Sequence, residues 1–253
     1  WPQFKIDDFD DIIRMEGAEL EEEMQNAWKK YGEENVILIS RSNKRAYQFN
    51  VQIRNRLLWR ESELEAGDRM MVVKNNYFWL KDFEGSDGFI ANGETVEIVK
   101  IKGRPELHGC RFADVSLRMI DQPNEPVIEA KIILDAIDSE GSSLSSEKLK
   151  ALYQSVSMDY SNESSKKGRS EKIKNDPFYN ALQVKFAYAI TCHKAQGGQW
   201  DAVFIDQGFL KEEMIDVEFL RWLYTALTRA KQKIYLVNFN GRFFEKEEEQ
   251  ENG

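Results

Sequence analysis

At 253 residues, the chain is long enough for one large domain or two small ones, since domains commonly run about 100–200 residues. Hydrophobic residues at 42% and aromatics at 12% exclude a disordered tail, and no run approaches the roughly 18 apolar residues of a membrane-spanning helix. The net charge of −9 excludes a surface that is basic all round, so any grip on a phosphate backbone has to be local.

The chain opens Trp1-Pro2-Gln3-Phe4. It has neither an initiator Met nor the charged-then-apolar layout of a signal peptide, and reads as a piece of something longer. Residues 15–31 place Leu20, Met24, Ala27, Trp28 and Tyr31 at helical spacing, which predicts an amphipathic helix with an acidic outer face. Val36-Ile37-Leu38-Ile39 is a short β-branched run of the kind buried on both faces of a parallel sheet. Ser42 is placed to cap a second helix in which Ala46, Phe49, Ile53 and Leu57 share a face. A basic cluster, Lys44, Arg45, Arg54, Arg56 and Arg60, falls in the same stretch, against acidic blocks at Glu16 to Glu23 and Glu245 to Glu251.

After about Glu65 the texture changes to short strands between Gly and Asn turns. Met70 to Val73, Tyr77 to Leu80, Phe89-Ile90, Thr95 to Val99, 111–120 and 127–133 are the candidates, with Gly67, Gly85, Gly88 and Gly93 between them. That spacing predicts a small β-barrel or meander. Residues 139–175, rich in Ser, Lys and Glu, read as a helical or partly mobile connector. From Leu182 strands and helices alternate again: strands at Val184 to Ile190, Ala202 to Ile205 and Lys233 to Val237, and a helix capped by Asp216 with Leu220, Leu223, Tyr224 and Leu227 as its buried stripe. The expected architecture is one α/β domain split in sequence, residues 1–66 plus 181–253, with a β-rich module and helical connector, 67–180, inserted.

Two cysteines, Cys110 and Cys192, and two histidines are too few for a disulfide framework or a zinc cluster, and suit a reducing cytoplasm. The G-x-x-x-x-G-K-[ST] phosphate cradle is absent from the chain. Val203-Phe204-Ile205-Asp206 imitates the strand and acid that hold Mg²⁺, a pattern that by itself more often just ends a strand.

Three stretches carry chemistry. Tyr188 to Ile205 runs Thr191-Cys192-His193-Lys194-Ala195-Gln196-Gly197-Gly198-Gln199-Trp200 through a glycine turn at the C-terminal edge of a sheet, where open α/β sheets take ligands. On the following helix, Arg221, Thr225 and Arg229 share a polar face at i, i+4, i+8. Arg229 there either satisfies helix carbonyls or acts as an arginine finger on a transferring phosphoryl group. Ile37 to Arg45 delivers Arg41 from a strand end to a helix start, either as a surface Arg beside a capping Ser or as a ligand contact.

Together and in order, these stretches resemble superfamily 1 helicases. Thr191-x-His193-x-x-x-Gly197-x-Gln199-Trp200 is similar to motif V, and its His-Lys-Ala-Gln-Gly form resembles most the RecD-like (exonuclease V alpha subunit-like) branch. Leu223-Tyr224-Thr225-Ala226-Leu227-Thr228-Arg229-Ala230 resembles motif VI, and Leu38 to Asn43 motif IV. Leu64 to Val72 resembles the entry to the SH3-like barrel which that branch inserts into its second RecA-like domain. The resemblance covers most of 36–80 and 183–238; the middle rests on position only.

The resemblance implies the C-terminal motor half of an ATP-dependent DNA helicase. ATP would sit between two RecA-like domains, and the N-terminal one, outside this chain, would supply the phosphate cradle, Mg²⁺ ligand and catalytic carboxylate. This half would bring Arg41 and Arg229 to the γ-phosphate, Gln199 with Gly197 and Gly198 to the nucleotide, and Thr191, His193 and Lys194 to single-stranded or duplex DNA. Alone it is not expected to hydrolyse ATP. The family commonly has Glu at the Gln199 position and, in the UvrD branch, an aromatic at Ser40. On the barrel, Tyr77 and Trp79, beside Lys74 and Phe78, are the candidate base-stacking residues. Two other readings stand beside this one: a regulatory or nucleic-acid-binding module with a degenerate motor fold, and a metal-dependent nuclease built on Asp114 or Asp121 with Glu129-x-Lys131.

Overall fold

The computed structural model describes residues 1–81, 88–121, 126–139 and 141–244; Gly85 and the acidic tail Glu245 to Glu251 lie outside the described residues. The chain divides into two compact units, Trp1–Trp59 with Tyr188–Gly253, and Arg60–Ala187.

The first unit is built on a five-stranded parallel sheet. Its elements in chain order are β1 (Ile12–Met15), α1 (Leu20–Tyr31), β2 (Val36–Ser40) and α2 (Asn43–Gln52), the last running on through a wider π-helical turn, Ile53–Leu57. In α1 the expected apolar positions Leu20, Met24 and Ala27 are buried, and Gly32 ends the helix with φ 87°. β2 is buried at every position, the signature of a strand covered on both faces. Ser42 caps α2 by accepting from the Arg45 N–H at 3.2 Å, and Ala46, Phe49, Ile53 and Leu57 are all buried.

The second unit is a closed five-stranded barrel of β3 (Arg69–Val72), β4 (Thr95–Gly103), β6 (Cys110–Met119), β7 (Ile128–Ile133) and β8 (Leu182–Phe186), with the two-residue β5 (Glu106–Leu107) forming a hairpin on β6. The ring closes because β4 pairs with both β3 and β6. The connector folds as α3 (Ser146–Asp159) and α4 (Lys166–Lys174). These helices cover the outer face of the barrel, burying Phe112 and Ile133 with Leu152, Val156 and Ile173.

Two expectations about strands are corrected here. Tyr77 to Leu80 is not a strand; only an isolated bridge, Asn76 to Ile90, forms there. The Asn76 side chain accepts from the Phe78 N–H at 3.0 Å, and such an Asx turn competes with ladder pairing. The apolar run Val184 to Ile190 is not one strand either. It ends β8 in the barrel and, after Ala187 and Tyr188, supplies β9 (Ala189–Thr191) to the parallel sheet.

The first unit closes with β10 (Trp200–Asp206), α5 (Val217–Leu227) and β11 (Ala230–Val237). Asp216 caps α5, accepting from the Phe219 N–H at 2.8 Å, but the helix buries a different stripe from the expected one. Phe219, Leu223 and Ala226 are buried, while Leu220 is 45% and Tyr224 70% exposed. α5 carries apolar residues nearly all round, so spacing alone does not choose a face. The side of Phe219 and Trp222, with the larger area to remove from water, turns inward.

Strand order across the sheet is β1-β11-β10-β2-β9. The chain leaves β2 towards β9 on one side and leaves β10 towards β11 on the other. The topological switch therefore falls between the C-terminal ends of β2 and β10, at Ser40 and Asp206. Crevices of this kind hold ligands in open α/β sheets.

Candidate functional site

Asp206 ends β10 fully buried. Arg45 from α2 grips it bidentately, Nε to Oδ2 at 2.6 Å and Nη2 to Oδ1 at 2.7 Å. This hydrogen bonding raises the Arg45 pKa. Both carboxylate oxygens are thereby engaged, so the strand-end acid serves as a structural counter-ion to Arg45. Arg45→Met would strand a buried charge. Breaking such pairs typically costs about 3–5 kcal/mol, and we expect about 3 here, because Arg45 itself is 39% exposed and water can approach. Urea unfolding of the variant measures this, and an unchanged midpoint would show that the pair contributes nothing.

Arg41 leaves β2 one residue past Ser40. Its Nη1 donates to the Phe209 carbonyl at 3.3 Å, and its guanidinium lies over the rings of Phe219 (5.3 Å) and Trp222 (5.7 Å). Arg41 is thus laid along the first half of α5 with most of its five N–H donors uncommitted. Ser40 is fully buried and donates to the Ser42 carbonyl at 3.2 Å, so this position offers no surface on which a base could stack.

Thr191 ends β9 opposite Ser40, and its carbonyl accepts from the N–H groups of Lys194 (2.9 Å) and Ala195 (3.1 Å), starting a tight turn. Ala195 is buried as the floor of that turn, Thr191 and Lys194 are half-buried, and His193, Gln196 and Gln199 are exposed. The two glycines have separate reasons. Gly197 sits at φ +87°, a conformation that strains L-residues, whereas a Cβ on Gly198 would collide with the Trp200 ring. Cys192 is buried, its thiol donates to the Trp222 carbonyl at 3.4 Å, and burial pushes its pKa up to about 11. It is neither a nucleophile nor a ready metal ligand at neutral pH.

Arg229 lies just past the end of α5 and binds the glycine turn to it. Nε donates to the Thr225 carbonyl (3.1 Å), Nη1 to the Gly198 carbonyl (3.2 Å) and Nη2 to the Thr228 hydroxyl (3.0 Å). The Arg229 carbonyl in turn accepts from the Trp200 N–H at 2.9 Å. Three of the five guanidinium N–H groups are used, leaving two donors. The structure therefore brings Arg229, Gly198 and the turn carrying His193 and Gln199 together. Arg41 packs instead on Phe219 and Trp222, seven to ten residues back along α5, or about 10–15 Å.

One polar residue escaped the sequence reading. Asn50 of α2 is buried; its Nδ2 donates to the Ala189 carbonyl at 2.7 Å, and its Oδ1 accepts from the N–H groups of Tyr188 (3.0 Å) and Ala189 (2.8 Å). It thereby pins the strand that ends in Thr191. Nothing in the local spacing of α2 announces an asparagine clamp.

In the barrel unit, Tyr77 is 65% exposed and stacks on Phe89 with centroids 5.1 Å apart. Trp79 is half-buried, its Nε1 donating to the Asn180 carbonyl at 2.9 Å, which makes it part of a loop anchor. Of the carboxylates weighed for a nuclease, Asp114 and Glu129 are each taken up in contacts with neighbouring side chains. Asp114 pairs with Lys131, while Glu129 binds Lys102 (2.6 Å) and Ser116 (2.9 Å). Among the described residues no three His, Cys, Asp or Glu side chains are grouped to hold a metal ion, and no helix is long and apolar enough to cross a membrane.

Residues 186–237 match the family model of the UvrD-like helicase C-terminal domain. Similar solved structures include Pif1 helicase from Bacteroides in complex with ADP-AlF3 and ssDNA, at 14% identity and TM-score 0.43, covering 84% of this chain and 42% of that one. Pif1 helicase from Candida albicans is similar at 12% identity and TM-score 0.42, with 85% and 47% covered. The chain thus spans less than half the length of these structures. No curated protein matches its sequence.

Proposed function

We propose that this chain is the second RecA-like half of an ATP-driven superfamily 1 DNA helicase, of the RecD-like branch by its motif V, with an SH3-like barrel inserted in it. In this reading the motor domain is Trp1–Trp59 with Tyr188–Gly253 and the inserted module Arg60–Ala187, which shifts the bounds expected from sequence, 1–66 plus 181–253 and 67–180, because β8 belongs to the barrel. The observation that carries it is the joining of two motif-bearing stretches by Arg229, inside the segment that matches the helicase C-terminal family.

In this reading ATP is the substrate, bound across a cleft to an N-terminal RecA-like half. Arg229 turns its two uncommitted N–H donors to the γ-phosphate, Arg41 joins it by leaving the rings of Phe219 and Trp222 when the cleft closes, and Gln199 faces the ribose beside Gly197 and Gly198. Thr191, His193 and Lys194 hold the single-stranded DNA backbone, and Tyr77 and Trp79 of the barrel offer aromatic surface to the bases. Arg45 already occupies Asp206, so Mg²⁺ and the catalytic carboxylate belong to the other half. Exposed His193 and Gln199 on one rigid turn suit such a role, because a contact on a preorganised loop loses little entropy on binding.

ATP turnover with and without single-stranded DNA, measured for this chain and for the longer protein containing it, tests the reading. Silence from the chain and DNA-stimulated turnover from the longer protein are expected. Turnover by the chain alone would overturn the split site. Silence from both would favour a non-catalytic binding module.

A further inference from the structure

A cavity of about 220 Å³ lies in the barrel unit, between the loop after β3, Leu149 of α3 and the residues at the start of β8. Its walls are already braced. Asn76 Nδ2 and Trp79 Nε1 both donate to the Asn180 carbonyl, at 2.8 and 2.9 Å, and Asn180 Nδ2 donates to the carbonyls of Lys174 and Asp176, each at 2.8 Å. At its rim stand Tyr77, 65% exposed, Tyr179, 38% exposed, and Lys74, also exposed.

The decisive group is Gln183, which lines this cavity and is itself only 7% exposed. Its Oε1 accepts from the Leu144 N–H at 3.0 Å. Of the two ends of the amide only the oxygen can accept from an N–H, so its orientation is fixed and Nε2 is the free end. Among the described residues Nε2 has no hydrogen-bond partner. With no acceptor from the protein, Nε2 is open to one supplied from the cavity that Gln183 lines.

We infer that this cavity is a single-nucleotide pocket that selects keto bases: the base stacks against Tyr179, and Gln183 Nε2 donates to its exocyclic carbonyl. Thymine O4 and guanine O6 present such an acceptor, whereas adenine presents an amino donor at the matching position. Lys74 at the rim meets the adjoining phosphate. The inference rests on the chain being a DNA-binding motor half and extends it, since stacking alone is sequence-tolerant and a fixed donor is not.

Fluorescence anisotropy with short oligothymidylate and oligodeoxyadenylate tests it on the intact chain. Loss of one such hydrogen bond predicts roughly threefold to tenfold tighter binding of the thymidylate. Gln183→Glu keeps an acceptor for the Leu144 N–H and replaces the free donor with an acceptor, so the preference should vanish or invert. Because the same two oligomers are compared in both proteins, their own stacking in solution cancels. Tyr179→Ala, at a surface position, should weaken both oligomers by about fivefold or more.

An unchanged preference in Gln183→Glu, or undiminished binding in Tyr179→Ala, overturns the pocket and leaves the DNA reading standing. Failure of the wild-type chain to bind either oligomer overturns both. A proline-rich peptide that binds the wild type and is lost in Tyr179→Ala, while DNA binding is not, would assign the groove to an extended peptide.

Discussion

Arg229→Ala in the longer protein is expected to lower DNA-stimulated ATP turnover by about 10³–10⁵-fold, the range for losing an arginine that neutralises a transferring γ-phosphoryl group. Affinity for single-stranded DNA should stay as it was. Geometry makes the experiment informative, because Arg229 also has a structural occupation: it donates to the carbonyls of Thr225 and Gly198 and to the Thr228 hydroxyl. If anchoring the glycine turn were its whole purpose, the variant would loosen the turn carrying His193, and DNA affinity and turnover would fall together. Arg229→Lys separates the two further. It keeps the charge and loses the fork, so the three anchoring bonds fail while a cation remains near the site. Loss of turnover at unchanged DNA affinity supports the finger; parallel loss of both assigns Arg229 to the turn.

Asn50→Leu is the second large effect, and it acts on stability. The asparagine satisfies three buried backbone groups at once: the Ala189 carbonyl and the N–H groups of Tyr188 and Ala189. Each buried polar group left unpaired costs about 1–3 kcal/mol, and leucine nearly preserves the volume, so a net loss of about 3–5 kcal/mol is expected. Asn50→Asp retains an acceptor for the two N–H groups but buries a carboxylate and sets an oxygen against the Ala189 carbonyl, so it should cost at least as much as Asn50→Leu. Urea unfolding followed by hydrogen exchange at the β9 amides measures both. A loss for Asn50→Leu under about 1 kcal/mol, no more than a single net hydrogen bond, would show that water replaces the clamp.

Legibility in the sequence followed the range of the interaction concerned. Ser42 and Asp216 were readable as caps because a cap is satisfied by an N–H three residues away. β2 was readable because four consecutive apolar residues, three of them β-branched, have few other places to go. The glycine turn after Thr191 was readable in outline, though the reasons for its two glycines differ. One is a local dihedral, and the other is the Trp200 ring. The barrel strands were legible where apolar residues alternate, as at Val96 and Ile98. They were misread at Tyr77 to Leu80, where aromatic β-propensity lost to the Asx turn of Asn76 and the anchoring of Trp79.

By itself, then, the sequence determined the local elements and their caps, and the absence of a phosphate cradle from this chain. Tertiary structure alone decided which face of α5 turns inward and where the run from Val184 to Ile190 divides between a barrel and a sheet. It alone joined Arg45 to Asp206 across 161 positions, and set Gln183, held through Oε1 by the Leu144 N–H, in one cavity with Tyr77 and Tyr179. The physical reason is the same in each case. A cap or a short strand is chosen by the free energy of neighbours in the chain. A face, a partner or a cavity is chosen by residues far apart in sequence, whose contacts form only once the sheet and the barrel have closed.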